Sequence, residues 1–230
     1  MSASKPTIET QRVRLSTKLK YIIMPISQSA FAASLKEIGF TTPQRVVRSP
    51  IGSGVAFEPA VVYGEKGENK VDMDSSRGII GIDGTNPADV VSDFRRLEDM
   101  LKQSFGLDIE KRTWFLEAIA EFTVTTHRNT LDVLRTSLPD AKLLEKLGNA
   151  MGEQVGPFGI RLCSPNSEPL DENWFDFRIE PVVTSLKSYF LSFVYRNEVR
   201  SKVYNFLGGL ESRALKLIAT AEQGSSSIPK

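Results

Sequence analysis

Cysteine and histidine are almost missing from this sequence, and their scarcity excludes several kinds of site. The chain of 230 residues contains one cysteine, Cys163, and one histidine, His127. A lone cysteine cannot form a disulfide within the chain, and one Cys with one His cannot fill a tetrahedral zinc site without carboxylates. We therefore expect a reducing compartment, the cytoplasm, and neither a metal nor a cofactor.

Long hydrophobic runs and an excess of one charge are also missing. No stretch approaches the roughly 20 apolar residues that span a bilayer, and residues 1–10 lack the apolar core of a secretory signal. The 29 basic and 28 acidic residues give a net charge of +1. This balance argues against nucleic-acid binding over the whole surface and leaves a local basic patch open. We expect a soluble protein without a membrane partner.

Alternating apolar and polar residues predict the strands of this chain. The longest alternation covers 112–126, where one face holds only apolar side chains: Trp114, Leu116, Ala118, Ala120, Phe122 and Val124. A second covers 11–24, with Val13, Leu15, Thr17, Leu19 and Tyr21 on its apolar face. Shorter strands are predicted at 61–63, 71–73, 79–82, 158–163, 174–180 and 189–195.

Helical spacing and end signals predict helices between these strands. Asn86 and Pro87 are a typical helix start, and Gly106 is a typical stop. Further helices are predicted at about 27–38, 130–138, 141–151 and 198–221. Strands clustered between helices indicate an α+β fold, a mostly antiparallel sheet with several amphipathic helices packed on it, in one lobe or two.

Composition also suggests how the chain is divided. Residues 1–10 are predicted to be a flexible N-terminus, 11–147 a first lobe, 148–222 a second lobe that shares its core, and 223–230 a disordered tail. The boundary at 148 follows from a cluster of helix- and strand-breaking residues: Gly148, Gly152, Gly156, Pro157 and Gly159. The sequence shows no internal repeat at a fixed period.

One short segment, Ile79-Ile80-Gly81-Ile82-Asp83-Gly84-Thr85-Asn86, is a candidate phosphate site. It resembles the first phosphate-binding segment of the actin and heat-shock-70 ATPase superfamily, in which a strand leads into an Asp-x-Gly-Thr turn. The resemblance implies that Asp83, Gly84 and Thr85 bind phosphate. The segment lacks the residue between Asp and Gly, and a helix start follows at once. The alternative is a strand that ends in a tight turn before a helix.

Other candidate catalytic groups have structural alternatives. His127 and Cys163 would form a nucleophile–base pair only if their strands were neighbours, and the alternative for Cys163 is a small buried hydrophobe. Glu117 and Glu121, like Asp176 and Glu180, lie four residues apart, about 13 Å along a strand, which is too far to share one ion. Cross-strand ion pairs are the alternative role for these carboxylates.

The first strand carries the clearest local charge pattern. Arg12, Arg14, Lys18 and Lys20, called the basic row below, project from one face of it. Cations spaced about 7 Å apart can follow a phosphate backbone, so the basic row is a candidate nucleic-acid site. The alternative is protection of an edge strand from aggregation by its charges.

The last third of the chain is rich in aromatic residues: Tyr189, Phe190, Phe193, Tyr195, Tyr204 and Phe206. Such residues suit a protein interface or a second copy of the chain, although core packing of the terminal helix is the favoured alternative. No complete catalytic motif is present. The sequence therefore predicts a non-enzymatic binding module with a macromolecular, most simply protein, partner or self-association. Nucleic-acid binding through the basic row is the second hypothesis, and a phosphate-handling enzyme centred on Asp83 is the third.

Overall fold

A computed structural model describes residues 5–21, 26–43, 61–74, 76–137 and 141–224 of the chain. Its eight described strands are β1 (Thr7–Leu19), β2 (Val61–Lys66), β3 (Asn69–Asp74), β4 (Ile79–Gly84), β5 (Thr113–Thr125), β6 (Ile160–Cys163), β7 (Trp174–Val182) and β8 (Ser185–Asn197). Its seven described helices are α1 (Gln28–Glu37), α2 (Pro87–Phe105), α3 (Ile109–Arg112), α4 (Thr130–Ser137), α5 (Ala141–Met151), α6 (Arg200–Gly208) and α7 (Leu210–Gly224).

The strands form one antiparallel sheet in the order β2-β3-β4-β1-β5-β8-β7-β6. Helices α2, α6 and α7 pack on the central strands β1, β4, β5 and β8, and α1 packs on β2. The side chains beneath them are fully buried, among them Val13 and Leu15 of β1 and Ala118 and Phe122 of β5. The predicted α+β fold with a mostly antiparallel sheet is confirmed.

The sheet contains a repeated layout that the sequence did not reveal. The first half runs from β1 to α3 and the second from β5 to α7. In each half, one strand is followed by a helical crossover, three antiparallel strands and a final helical segment. The strand orders β2-β3-β4-β1 and β6-β7-β8-β5 match, and the halves meet where β1 pairs with β5. The change from one layout to the other falls between α3 and β5. The predicted lobe boundary at 148 falls within the second of these layouts. Strands β5 and β8, on either side of it in sequence, pair in the same sheet. The division into lobes stays a prediction.

The two long predicted strands differ from the observed ones mainly at their ends. Strand β1 begins at Thr7, inside the predicted flexible N-terminus, and Tyr21 lies beyond its other end with its side chain 75% exposed. Strand β5 has the predicted apolar face except for Trp114, which is 39% exposed and donates a hydrogen bond to Glu172. Residues 1–4 of the predicted N-terminal segment and residues 225–230 of the predicted tail lie outside the described residues.

The helix ends follow their predicted signals, with one exception. Asn86 caps α2 by accepting hydrogen bonds from the backbone of Ala88 and Asp89, and Gly106 ends α2 with a φ of 63°. The single helix predicted at 198–221 is two helices in the structure, because the helix is interrupted at Gly209, between α6 and α7. The apolar sides of both helices are buried in the core, which is the role that the sequence favours for this region. None of the helices in the described ranges is long and apolar enough to cross a membrane.

Candidate functional site

The basic row does not lie on an edge strand. Strand β1 pairs with β4 on one side and β5 on the other, so it occupies the middle of the sheet. Protection of a free edge is therefore the wrong interpretation of these cations. Arg12, Arg14 and Lys18 lie on the face of β1 opposite the buried Val13 and Leu15, on which the helices pack. We call this face of the sheet the open face.

Carboxylates from β4 and from β3, the strand beyond it, neutralise the two arginines of the basic row. The Nε and Nη2 atoms of Arg12 donate to Oδ2 of Asp83 at 2.8 and 2.5 Å. Arg14 donates to both carboxylate oxygens of Asp72, and its Nη2 lies 2.7 Å from Oδ1. The side chains of Arg14 and Asp72 are only 12% and 9% exposed. Arg14 is thus a buried ion-pair partner.

Gly81 makes the Arg14–Asp72 pair possible. Arg14 lies on β1 and Asp72 on β3, and Gly81 of β4 lies between those strands. A Cβ atom at this glycine would lie 2.8 Å from Nη2 of Arg14, so the guanidinium occupies the space above the glycine backbone. Burial works to lower the pKa of Arg14, but the hydrogen bond and charge of Asp72 outweigh it and raise that pKa.

The two lysines of the basic row have different surroundings. Lys18 donates a hydrogen bond to the backbone carbonyl of Arg77, and Lys20 is exposed just beyond the end of β1. The four residues therefore do not form a row of four free cations. Their role in nucleic-acid binding stays a prediction.

Two further ion pairs on the open face join neighbouring strands. Arg196 of β8 contacts Glu117 of β5 at 2.6 Å, and Arg161 of β6 contacts Asp176 of β7 at the same distance. These contacts agree with the cross-strand ion-pair alternative for Glu117 and Asp176, whereas Glu180 pairs with Arg178 of its own strand. The described ranges contain no group of three or more His, Cys, Asp or Glu side chains placed to hold a metal ion.

The candidate phosphate segment forms the whole of β4 and ends at Asn86, the residue that caps α2. Asp83 is bound by Arg12, and its Oδ2 also lies 3.8 Å from Arg14. A Cβ atom at Gly84 would lie only 2.1 Å from Oδ1 of Asn69, which leaves no room for a ligand at that point. Thr85 is exposed and leads directly into the capped helix. Phosphate binding by Asp83, Gly84 and Thr85 stays a prediction.

The possible cysteine–histidine pair is not formed. Cys163 is exposed on the edge strand β6, so the interpretation as a buried hydrophobe is wrong. Cys163 pairs with Asp176 of β7, which pairs with Val194 of β8, which pairs with Ile119 in the middle of β5. Cys163 is therefore three strand spacings, about 14 Å, from the middle of β5. His127 lies exposed beyond the far end of β5.

A groove between the terminal helices and strands β7 and β8 combines aromatic and cationic side chains. We call it the aromatic groove. Its volume is about 580 Å³, within the usual range of ligand sites. Ten residues line it: Phe175, Phe193, Tyr195, Lys202, Asn205, Phe206, Arg213, Lys216, Leu217 and Thr220.

The floor of the aromatic groove is a packed cluster of rings. Tyr195 stacks on Phe206 with ring centroids 4.5 Å apart, and Phe175 meets both rings edge to face. Phe193 is buried beneath them, whereas Phe175 and Tyr195 remain partly exposed. These contacts fix the rings, so a ligand would meet a preformed apolar surface.

Three cations stand at the rim of the aromatic groove. Lys202 lies on α6, Arg213 and Lys216 lie on α7, and all three are exposed. No described carboxylate forms an ion pair with any of them. Arg213 lies over the Phe206 ring at 5.7 Å. The groove therefore has positive charge that the described part of the chain does not neutralise.

The sequence signal for this groove was its aromatic content. Tyr195 and Phe206 belong to the aromatic region of the last third of the chain, for which the sequence favours core packing. Lys202, Arg213 and Lys216 were missed, because helical spacing shows them only as part of a solvated helix face. Their position beside the rings follows from the break at Gly209 and from the docking of α6 and α7 on the sheet.

Comparison with known proteins gives little further guidance. No protein-family model matches the chain, and no curated protein matches it. One similar solved structure is a rolling circle replication initiator protein from Geobacillus stearothermophilus, which is 10% identical. The match covers 88% of this chain and 78% of that one with a TM-score of 0.27, which does not indicate a shared fold.

Proposed function

We propose that this protein is a non-enzymatic binding module whose aromatic groove holds an acidic, apolar segment of a partner protein. The observation that carries this proposal is the combination of a preformed aromatic floor with three cations that have no described carboxylate partner. Aromatic residues and arginine are enriched at protein interfaces. Unneutralised cations at the rim favour a partner of opposite charge and accelerate its association.

The shape of the groove supports a peptide segment as the ligand. A volume of about 580 Å³ is enough for a few side chains, and the partly exposed Phe175 and Tyr195 offer them apolar contact. Removing 100 Å² of apolar surface from water contributes about 2.5 kcal/mol. Carboxylates beside the apolar side chains would then reach Lys202, Arg213 or Lys216.

The charge distribution of the sheet argues for a protein partner rather than a nucleic acid. A phosphate backbone binds an extended series of cations, and the loss of affinity with salt reflects their number. On the open face, Arg12 and Arg14 are already bound by Asp83 and Asp72. The cations of the aromatic groove form one compact group instead of a track.

Fluorescence anisotropy with a defined probe tests this function. The probe is a labelled ten-residue peptide that alternates Glu or Asp with Phe or Leu, titrated with the full chain at low salt. The test variant carries Lys202→Glu, Arg213→Glu and Lys216→Glu. Exposed ion pairs are worth up to about 1 kcal/mol each, so we expect a loss of about 2 kcal/mol, or roughly 30-fold in affinity.

A control variant with the same change of net charge separates this groove from general electrostatics. It carries Lys36→Glu, Arg112→Glu and Lys187→Glu, three exposed cations elsewhere on the chain. This variant should bind the peptide within threefold of the unmodified protein. Equal losses in both variants, or tighter binding of a labelled ten-nucleotide oligothymidine than of the peptide, would contradict the proposal.

A further inference from the structure

Exposed apolar side chains are concentrated in one part of the chain, outside the aromatic groove. Of twelve large hydrophobic residues that are exposed in the described ranges, six lie between positions 143 and 162. They are Leu143 (52%), Leu147 (48%), Met151 (74%), Val155 (39%), Phe158 (52%) and Leu162 (56%). We call them the α5–β6 patch. The six follow one another within twenty residues of the chain, and exposed apolar residues that are not scattered singly mark interaction sites in soluble proteins.

The patch contains an apolar stripe on a helix and an apolar face of a strand, two surfaces that can pack on each other. Leu143, Leu147 and Met151 follow one another at four-residue spacing, so they form an apolar stripe along α5. Leu162 and Ile160 share one face of β6, because Ile160 pairs with Ile179 and Leu162 pairs with Phe177, both buried on the helix-covered face. One part is an apolar helix stripe, and the other is the face of an edge strand.

The first half of the sheet shows what covers such a strand face. Strand β2 is the matching edge strand, and α1 packs on it. A Cβ atom at Gly64 would lie 3.0 Å from Cβ of Phe40 and 3.1 Å from Cδ1 of Leu35, so the cover is close. In the second half the crossover helix α4 packs instead on α7, β8 and β7. The described residues of this chain leave Leu162 on β6 more than half exposed.

We infer that the α5–β6 patch is the dimer interface between two copies of this chain, in which α5 of each copy packs on the helix-side face of β6 of the other. The exchange covers both parts of the patch in both copies at once. It also satisfies twofold symmetry, because each copy supplies one helix and one strand face.

The size of the patch fits this occupant. With about 200 Å² for a fully exposed large side chain, the three α5 residues and Leu162, which the exchange covers, expose roughly 460 Å² of apolar surface per copy. A standard stable interface buries about 800 Å² per partner, including a polar rim. The net charge of +1 puts little repulsion between two copies.

Mixed-cysteine crosslinking tests the exchange, since Cys163 is the only native cysteine. Two proteins are made in a Cys163→Ser background, one with Leu147→Cys and the other with Leu162→Cys, distinguished by a mass tag. After mild oxidation of the mixture, we expect a disulfide-linked heterodimer at more than threefold the yield of either homodimer. A yield no higher than the homodimers would overturn the proposal, as would a protein carrying both new cysteines that links within one chain and stays monomeric.

Light scattering of the unmodified protein gives a second test that needs no crosslink. We expect twice the mass of one chain at micromolar concentrations, and a more than tenfold weaker dimer in Leu147→Asp. The control Leu170→Asp changes a residue that is 84% exposed away from the patch and should leave the mass unchanged. A monomeric unmodified protein, or equal effects of the two variants, would overturn the proposal.

Discussion

The ion pair between Arg14 and Asp72 allows a quantitative prediction about the open face. Their side chains are 12% and 9% exposed, so the variant Asp72→Ala leaves a guanidinium buried without its main partner. Removing one member of a buried pair destabilises a protein by 3 to 5 kcal/mol. Asp83 remains 3.8 Å from Arg14 and keeps part of the attraction. We therefore expect the lower end, a loss of about 3 kcal/mol in the free energy of unfolding.

Urea denaturation followed by tryptophan fluorescence measures this loss. With a slope of about 3 kcal/mol per molar urea for a chain of this size, the midpoint should fall by about 1 M. Asp176→Ala is the matched control, because its partner Arg161 is 70% exposed and returns to water when the pair is broken. An exposed pair contributes at most about 1 kcal/mol, so the control midpoint should move by less than 0.4 M or so.

A double variant separates a buried charge from a merely damaged core. Arg14→Met with Asp72→Leu removes both charges and keeps similar volume, and such replacements are often neutral or stabilising. We expect it to recover most of the stability that Asp72→Ala loses. Equal losses for Asp72→Ala and Asp176→Ala, or a double variant as unstable as Asp72→Ala, would refute the reasoning.

Two further predictions concern packing and pH. Gly84→Ala should destabilise the protein by about 1 to 3 kcal/mol in urea, because its Cβ would lie 2.1 Å from Oδ1 of Asn69, whereas Gly208→Ala has open space and should cost less than about 1 kcal/mol. Burial, with the charge of Glu98 second, raises the pKa of Tyr204 from 10.0 to about 12. The folded state then keeps a proton that the unfolded state loses, so the contribution of Tyr204 to stability should fall as pH rises from 10 to 12, by at most about 1.4 kcal/mol per pH unit. Thermal melts of Tyr204→Phe should show a smaller fall, and an identical pH dependence would contradict this assignment.

Local patterns predicted the elements of this fold well. Two-residue alternation identified the buried face of β5, and the Asn86 and Gly106 signals set the ends of α2. These features depend on residues close together in sequence. The strand order and the repeated layout depend on pairing between distant segments, and no local pattern reports it.

The same limit explains which parts of the candidate sites were missed. The basic row was correctly placed on one face of a strand, but Asp72 and Asp83 are 58 and 71 residues away from the arginines that they bind. Alternation of apolar and polar residues could not show that β1 is a central strand or that β6 is an edge strand. Cys163 is exposed on that edge strand. The cations of the aromatic groove were missed because only tertiary packing brings them beside the rings.

Hydrogen–deuterium exchange with the acidic peptide bound tests the central claim most directly. With the peptide at saturation, we expect slower backbone exchange in segments that line the aromatic groove, at 174–177, 193–206 and 213–220. The segments 12–18 and 79–84, which carry the basic row and the candidate phosphate site, should exchange at unchanged rates. Protection confined to 12–18 and 79–84, with none beside the groove, would contradict the account and assign binding to the open face.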